Sequence, residues 1–276
     1  MDQSAIHAIH RILLAGAVLA PQEGAIGTLV PEGMKFQDLE PYGDQRRRYR
    51  GKFVTRALSD FETYLCTHVN ADDADKIHCY VDADNATATV YLNAGDATAP
   101  GHCDHTATLK LHHTAAYAAV LAVTSKGAMT QRDVVDFLED WPKAVTPVFP
   151  ATDDQGPATM QRALAAVRNI DIKAEATTGN EVGNMSETRS GLAKIAATSK
   201  HVLPEAFEFT CRPFPELEER TLVLELLVHT SGDKPALKLR LRERERLVED
   251  IADETAKVIG DHLPDGMVAL VGTFTP

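Results

Sequence analysis

The chain has 276 residues, 44% hydrophobic and 25% charged, which is ordinary globular composition and long enough to bury a core without staples. With 40 acidic residues against 28 basic ones, its formal net charge is −12, so phosphate backbones repel it and nucleic acid is disfavoured as a partner. No apolar run approaches the ~20 residues that span a bilayer, and Cys66, Cys79, Cys103 and Cys211 follow no disulfide-scaffold spacing, so a soluble, intracellular protein with reduced thiols and no membrane contact is expected.

Residues 2–19 read as an amphipathic helix with Ile6, Ile9, Leu13 and Val18 near one face, ended by Pro21 and Gly24. Short strands are expected at 25–30, 34–39 and 49–55. Ser59 and Glu62 have the spacing of a capping box, which opens a helix carrying Phe61, Tyr64, Leu65 and His68. Ile77, Cys79 and Val81 then alternate with His78, Tyr80 and Asp82. A turn at Asp84-Asn85 returns the chain through Ala88, Val90 and Leu92, which predicts a hairpin. After a loop at 95–101, His105, Ala107, Leu109 and Leu111 mark a further strand. Helices follow at 115–123 and 131–140. The second has Thr130 as N-cap with Asp133 three residues on, and turns Val134, Phe137, Leu138 and Trp141 inward.

Pro142 to Pro157 is rich in proline and reads as a connector, so the chain divides into halves at 1–145 and 158–276 or forms one continuous domain. Ala158–Asn169 is helical by period, Ile170–Thr178 is a candidate strand, and Thr177–Ser190 is a polar loop. The last unit has the clearest pattern. Strands are predicted at Phe207–Arg212, Arg220–Thr230 and Pro235–Arg242, then a helix over Arg244–His262 with Leu247, Ile251, Thr255, Val258 and Ile259 on one stripe. A final strand spans Met267–Phe274. The fold class is α+β: antiparallel sheet meanders with helices packed on them.

Several short landmarks occur in a set order: Val30-Pro31 with Leu39-Glu40 after it, Ser59-Asp60-Phe61-x-x-Tyr64, His105-Thr106-Ala107, and Phe137-Leu138-Glu139-Asp140. Leu203-Pro204-Glu205-Ala206-Phe207, Leu239-Arg240-Leu241-Arg242 and Gly272 complete the set. In that order the chain resembles the YfdQ-like family of uncharacterised bacteriophage and prophage proteins. The resemblance implies a phage gene product acting in the host cytoplasm. It implies no reaction and no catalytic residue.

Chemistry-bearing side chains concentrate between Cys66 and His113, with His68, His78, Cys79, His102, Cys103, His105 and His112 between them. A metal-dependent enzyme could be built from such a set. Strand alternation argues against it, placing Cys103 and His105 on one face and His102 and Asp104 on the other, and no H-E-x-x-H or C-x-x-C pair occurs. No metal, cofactor or catalytic residue is therefore assigned.

Arg46, Arg47, Arg48 and Arg50 surround Tyr49 and are candidate contacts for an anion or a partner. Leu224, Leu226, Arg240 and Arg242 are candidate oligomer contacts, because Leu222–Val228 is apolar on nearly both sides and must be covered on each. The expected function is that of a non-enzymatic accessory protein, a homo-oligomer that binds or assembles, with a host or phage protein as a further partner. A protein that binds or sequesters a small nucleotide-like ligand is the alternative, and the metal enzyme is a third.

Overall fold

The computed structural model describes residues 4, 6–9, 40–154, 156–170, 202–229 and 236–276. The chain divides into two compact units, Met1–Tyr49 and Arg50–Pro276. In the first, residues 4 and 6–9 are helical and Glu40–Tyr42 form a 3₁₀ turn. The expected strands at 25–30 and 34–39, the rest of the 2–19 helix and the 170–178 strand beyond Ile170 lie outside the described residues.

The second unit is α+β. Its strands are β1 (Gly51–Thr55), β2 (His78–Asp82), β3 (Thr87–Tyr91), β4 (His105–Lys110), β5 (Val145–Val148), β6 (Ala206–Cys211), β7 (Arg220–His229), β8 (Ala236–Leu241) and β9 (Val268–Val271). Its helices are α1 (Leu58–His68), α2 (Ala115–Ser125), α3 (Gln131–Asp140), α4 (Met160–Arg168) and α5 (Arg244–Asp261). Among the described residues, no helix is long and apolar enough to cross a membrane.

Two sheets organise these elements. The first runs β1-β4-β3-β2-β9, and the second β5-β6-β7-β8. The hairpin β2–β3 forms as the alternation predicts, with Cys79 opposite Val90 and Val81 opposite Ala88, all four buried. The β6–β7–β8 meander is antiparallel throughout. The first sheet is mixed, because β1 joins β4 and β9 joins β2 in parallel. Alternation within a strand carries no information about which way its neighbour runs.

Inner-facing residues of both sheets and the buried stripes of the helices form one hydrophobic cluster. Helix α1 packs on β4 and β1, α5 on β9 and β2, α2 and α3 on β8, and α4 on α3 and β5. Helix α3 has the predicted capping box: the Thr130 hydroxyl accepts from the Asp133 amide, while the Asp133 carboxylate accepts from the Thr130 amide at 2.9 Å.

Three local expectations are corrected. Ser59 is not an N-cap: α1 starts at Leu58 with Ala57 as its cap residue, and the Ala57 amide is instead taken by Thr55 Oγ1 at 3.1 Å. Cys103 is not on a strand, since β4 begins at His105 and Cys103 has φ 51, in the left-handed region. The stretch from Pro142 to Pro157 contains β5, which pairs with β6 through Val145↔Phe209 and Pro147↔Phe207. Proline is tolerated there because β5 is a sheet edge, where a missing N–H breaks no central ladder.

Candidate functional site

The β3–β4 connection, Leu92–Asp104, crosses the end of the first sheet as a braced loop. Asn93 ties its two ends: its Oδ1 accepts from the His105 amide at 2.9 Å, and its Nδ2 donates to Asp104 Oδ1 at 2.7 Å. The Asp96 carboxylate accepts from Thr98 Oγ1, Thr98 N and Ala99 N, and these hydrogen bonds hold its pKa below the ordinary value. Gly101 is required by close approach, because a Cβ there would lie 2.0 Å from the Asn93 carbonyl oxygen.

Open grooves flank this loop. One, of about 350 Å³, is lined by His68, Asn70, Asp73, Lys76, Tyr91 and Asn93 among others. The second, of about 560 Å³, is lined by Asp75, His78, Tyr80, Tyr91, Cys103 and Phe274 among others. Lys76, Tyr91, Ala94, Gly95 and Gly101 wall both.

Behind the first groove, Phe53, Tyr64 and His68 form a stack, with ring centroids 4.2 and 4.1 Å apart. The buried His105 meets it edge-on, 5.3 Å from the His68 ring, and its Nε2 is 3.0 Å from Tyr64 Oη. Burial and the neighbouring His68 hold the His105 pKa below the usual histidine range, with Asp104 opposing.

That shift fixes a pH dependence. With its folded pKa depressed, His105 takes up a proton in the unfolded chain first. Its contribution is therefore complete above the unfolded value of 6.5 and is lost as pH falls through the folded value. The free energy of unfolding obtained from urea titrations should drop between pH 7.5 and pH 5.5, by no more than about 1.4 kcal/mol per pH unit for each proton involved. The slope should flatten in His105→Gln. Equal slopes in the two proteins would show that His105 is not responsible.

The His/Cys segment is brought together only in part. His68 and His105 become neighbours, and His78 and Cys103 line the same groove. Cys79 lies in the core, where burial pushes its thiol up to about 12. Cys66 is exposed. His113 packs against Tyr117 and Phe214, near the start of α2. Among the described residues, no three of His, Cys, Asp and Glu are placed to hold a metal ion.

Of the arginine run, Arg46 and Arg47 are exposed while Arg48 and Arg50 are half-buried, and the Arg47 amide donates to Glu40 Oε1 at 3.1 Å. Arg240 and Arg242 converge on Glu225, each through two nitrogens. Burial alone would raise Glu225, but the hydrogen bonds and charges of the two arginines outweigh it and hold the carboxyl below its ordinary value. Leu224 and Leu226 are fully buried inside the chain's own core, so they are not available as oligomer contacts. The opposite side of β7 shows Val223, Glu225 and Leu227, half-buried, where a second apolar face was expected to need a cover.

A family model described as "Uncharacterized conserved protein (DUF2303)" matches residues 2–274. The chain belongs to that family. No curated protein and no solved structure matches it. The match takes in both compact units of this DUF2303 chain and both sheets of the second.

The aromatic group beside the second groove escaped the sequence reading. Tyr80 and Tyr91 occupy outward positions on β2 and β3, and Phe274 stacks on Tyr80 with centroids 4.9 Å apart. Outward tyrosines on neighbouring strands are visible in the sequence. Their pairing with a residue nearly two hundred positions away is not.

Proposed function

We propose that this DUF2303 chain is a binding or assembly protein that works as a homo-oligomer, with the β9 edge of the first sheet as the contact between copies. One observation carries the reading. Along β9 and the segment after it, Val268, Leu270, Val271 and Phe274 are 48%, 40%, 73% and 41% exposed. The strand contains no charged residue and no proline, the features that usually protect a sheet edge from pairing. The paired Arg240, Arg242 and Glu225 on the other sheet suit an accessory contact.

The resemblance to YfdQ-like proteins supports a phage origin and action in the host cytoplasm, with host or phage proteins as further partners. Size-exclusion chromatography with light scattering tests the central point. At micromolar concentration the mass should be a multiple of 30.0 kDa. Leu270→Glu should reduce it to a single chain without loss of secondary structure. A wild-type protein that runs as one chain would sink the reading.

A further inference from the structure

At Gly272 the chain reverses. Its φ of 144 lies in the region that side chains rarely adopt, and its amide donates to the Val81 carbonyl at 2.8 Å as the last rung of the β2–β9 ladder. Leu270 stands opposite Tyr80 in that ladder, yet four residues later Phe274 is back over the same tyrosine. The segment from Gly272 to Pro276 is thus folded onto the outer face of the first sheet.

What holds it there resembles a ligand in a clamp. The Phe274 ring stacks on Tyr80 at an interplanar angle of 16°, and Tyr91 closes the side edge-on at 5.4 Å. The Tyr91 hydroxyl donates to the Phe274 backbone carbonyl at 2.9 Å. One bond therefore reads the main chain while two rings read the side chain, the combination by which extended segments are recognised. The groove of about 560 Å³ continues from the clamp past Pro276 to His78, Asp96 and Cys103, and the Nδ1 of His78 is buried there without a hydrogen-bond partner.

We propose that the Tyr80–Tyr91 clamp is a binding site for an extended segment bearing an aromatic residue, filled in this chain by its own Phe274 and able to take the same segment of a second copy. The class of ligand is read from the occupant already seated. The occupant is exchangeable because one ring stack, one edge-on ring contact and one exposed hydrogen bond hold it, and Phe274 remains 41% exposed. Exchange between copies repeats each contact in trans without new chemistry. The exposed Val268 and Leu270, on the outer face of the same edge, extend the apolar surface available to a second copy. The exchange part rests on the assembly reading above; the clamp itself does not.

The test uses the full chain carrying Phe274→Ala, which vacates the clamp, and a fluorescently labelled peptide spanning residues 271–276. Anisotropy should show saturable binding to this variant. Binding to wild type should be about ten-fold weaker, because the tethered Phe274 competes at high effective concentration. Adding Tyr80→Ala should abolish binding, adding Tyr91→Phe should weaken it several-fold, and a peptide with alanine in place of its phenylalanine should not bind. Circular dichroism confirms that each variant is folded. If the Phe274→Ala protein binds no better than wild type, or if Tyr80→Ala leaves binding intact, the proposal is overturned. Light scattering on wild type separates the two readings: a single chain that still presents a peptide-binding clamp removes the assembly reading alone.

Discussion

Leu224→Ala should lower the free energy of unfolding by about 3–5 kcal/mol, the cost of lost transfer energy plus an unfilled cavity in a rigid core. Leu224 is fully buried on a central strand, between Phe207 on β6 and Leu241 on β8. Its side chain enters the inner layer that also holds Phe209, Leu226 and Leu239. Few directions remain in which such a site can collapse, so the upper part of the range applies. Urea unfolding monitored by circular dichroism measures the change. Val223→Ala, one residue away on the half-buried face, should cost about 1 kcal/mol or less. The comparison also decides what Leu224 does. A contact between subunits would alter association while leaving the chain's own stability nearly intact; a core position does the reverse. Similar small losses at both positions would contradict the inward placement of Leu224.

Asp153→Ala should cost about 3 kcal/mol, because it strands a guanidinium away from solvent. The Asp153 and Arg162 side chains form an ion pair and are only 5% and 14% exposed, respectively. The same arginine lies over the Phe149 ring at 4.2 Å and donates to the Gly156 carbonyl at 2.7 Å. One side chain on α4 thus gathers three points of the preceding loop, which the proline content alone presents as a passive connector. Thermal melts measure the loss, and limited proteolysis should show earlier cleavage between 149 and 159. The double variant Asp153→Ala, Arg162→Ala should be less destabilised than the sum of its singles, since removing both charges leaves neither unpaired. Additivity would mean that the pair contributes nothing as a pair.

Both predictions concern positions whose roles could be read only halfway from the residue types. Alternation marked Leu222, Leu224, Leu226 and Val228 as one face, and they are one face, all buried. Which cover they meet was not legible, because helices α2 and α3 come from far earlier in the chain and pack on β8 beside them. The expected oligomer contact at Leu224 and Leu226 favoured a second subunit over an earlier part of the same chain as that cover. At Arg162, helical period places the residue on α4, but nothing local says that Asp153, nine positions back, lies beside it or that the Arg162 guanidinium lies over Phe149.

The sequence by itself determined most of the described elements, with β5 the exception. Period-2 and period-3.6 patterns placed β2, β3, β4, the β6–β8 meander and helices α2, α3 and α5 close to their observed bounds, since each pattern is imposed by burial on one side of a regular backbone. The Thr130–Asp133 cap was legible for the same local reason. Tertiary structure decided what depends on distant partners: β1 joining β4, β9 returning to β2, Tyr64 meeting His105, and Phe274 reaching Tyr80 and Tyr91. A strand's alternation says which side is buried but not which neighbour it pairs with, because many pairings bury the same side equally well. The candidate site consists almost wholly of such distant pairings, and that is why its residues were visible in the chain while the site was not.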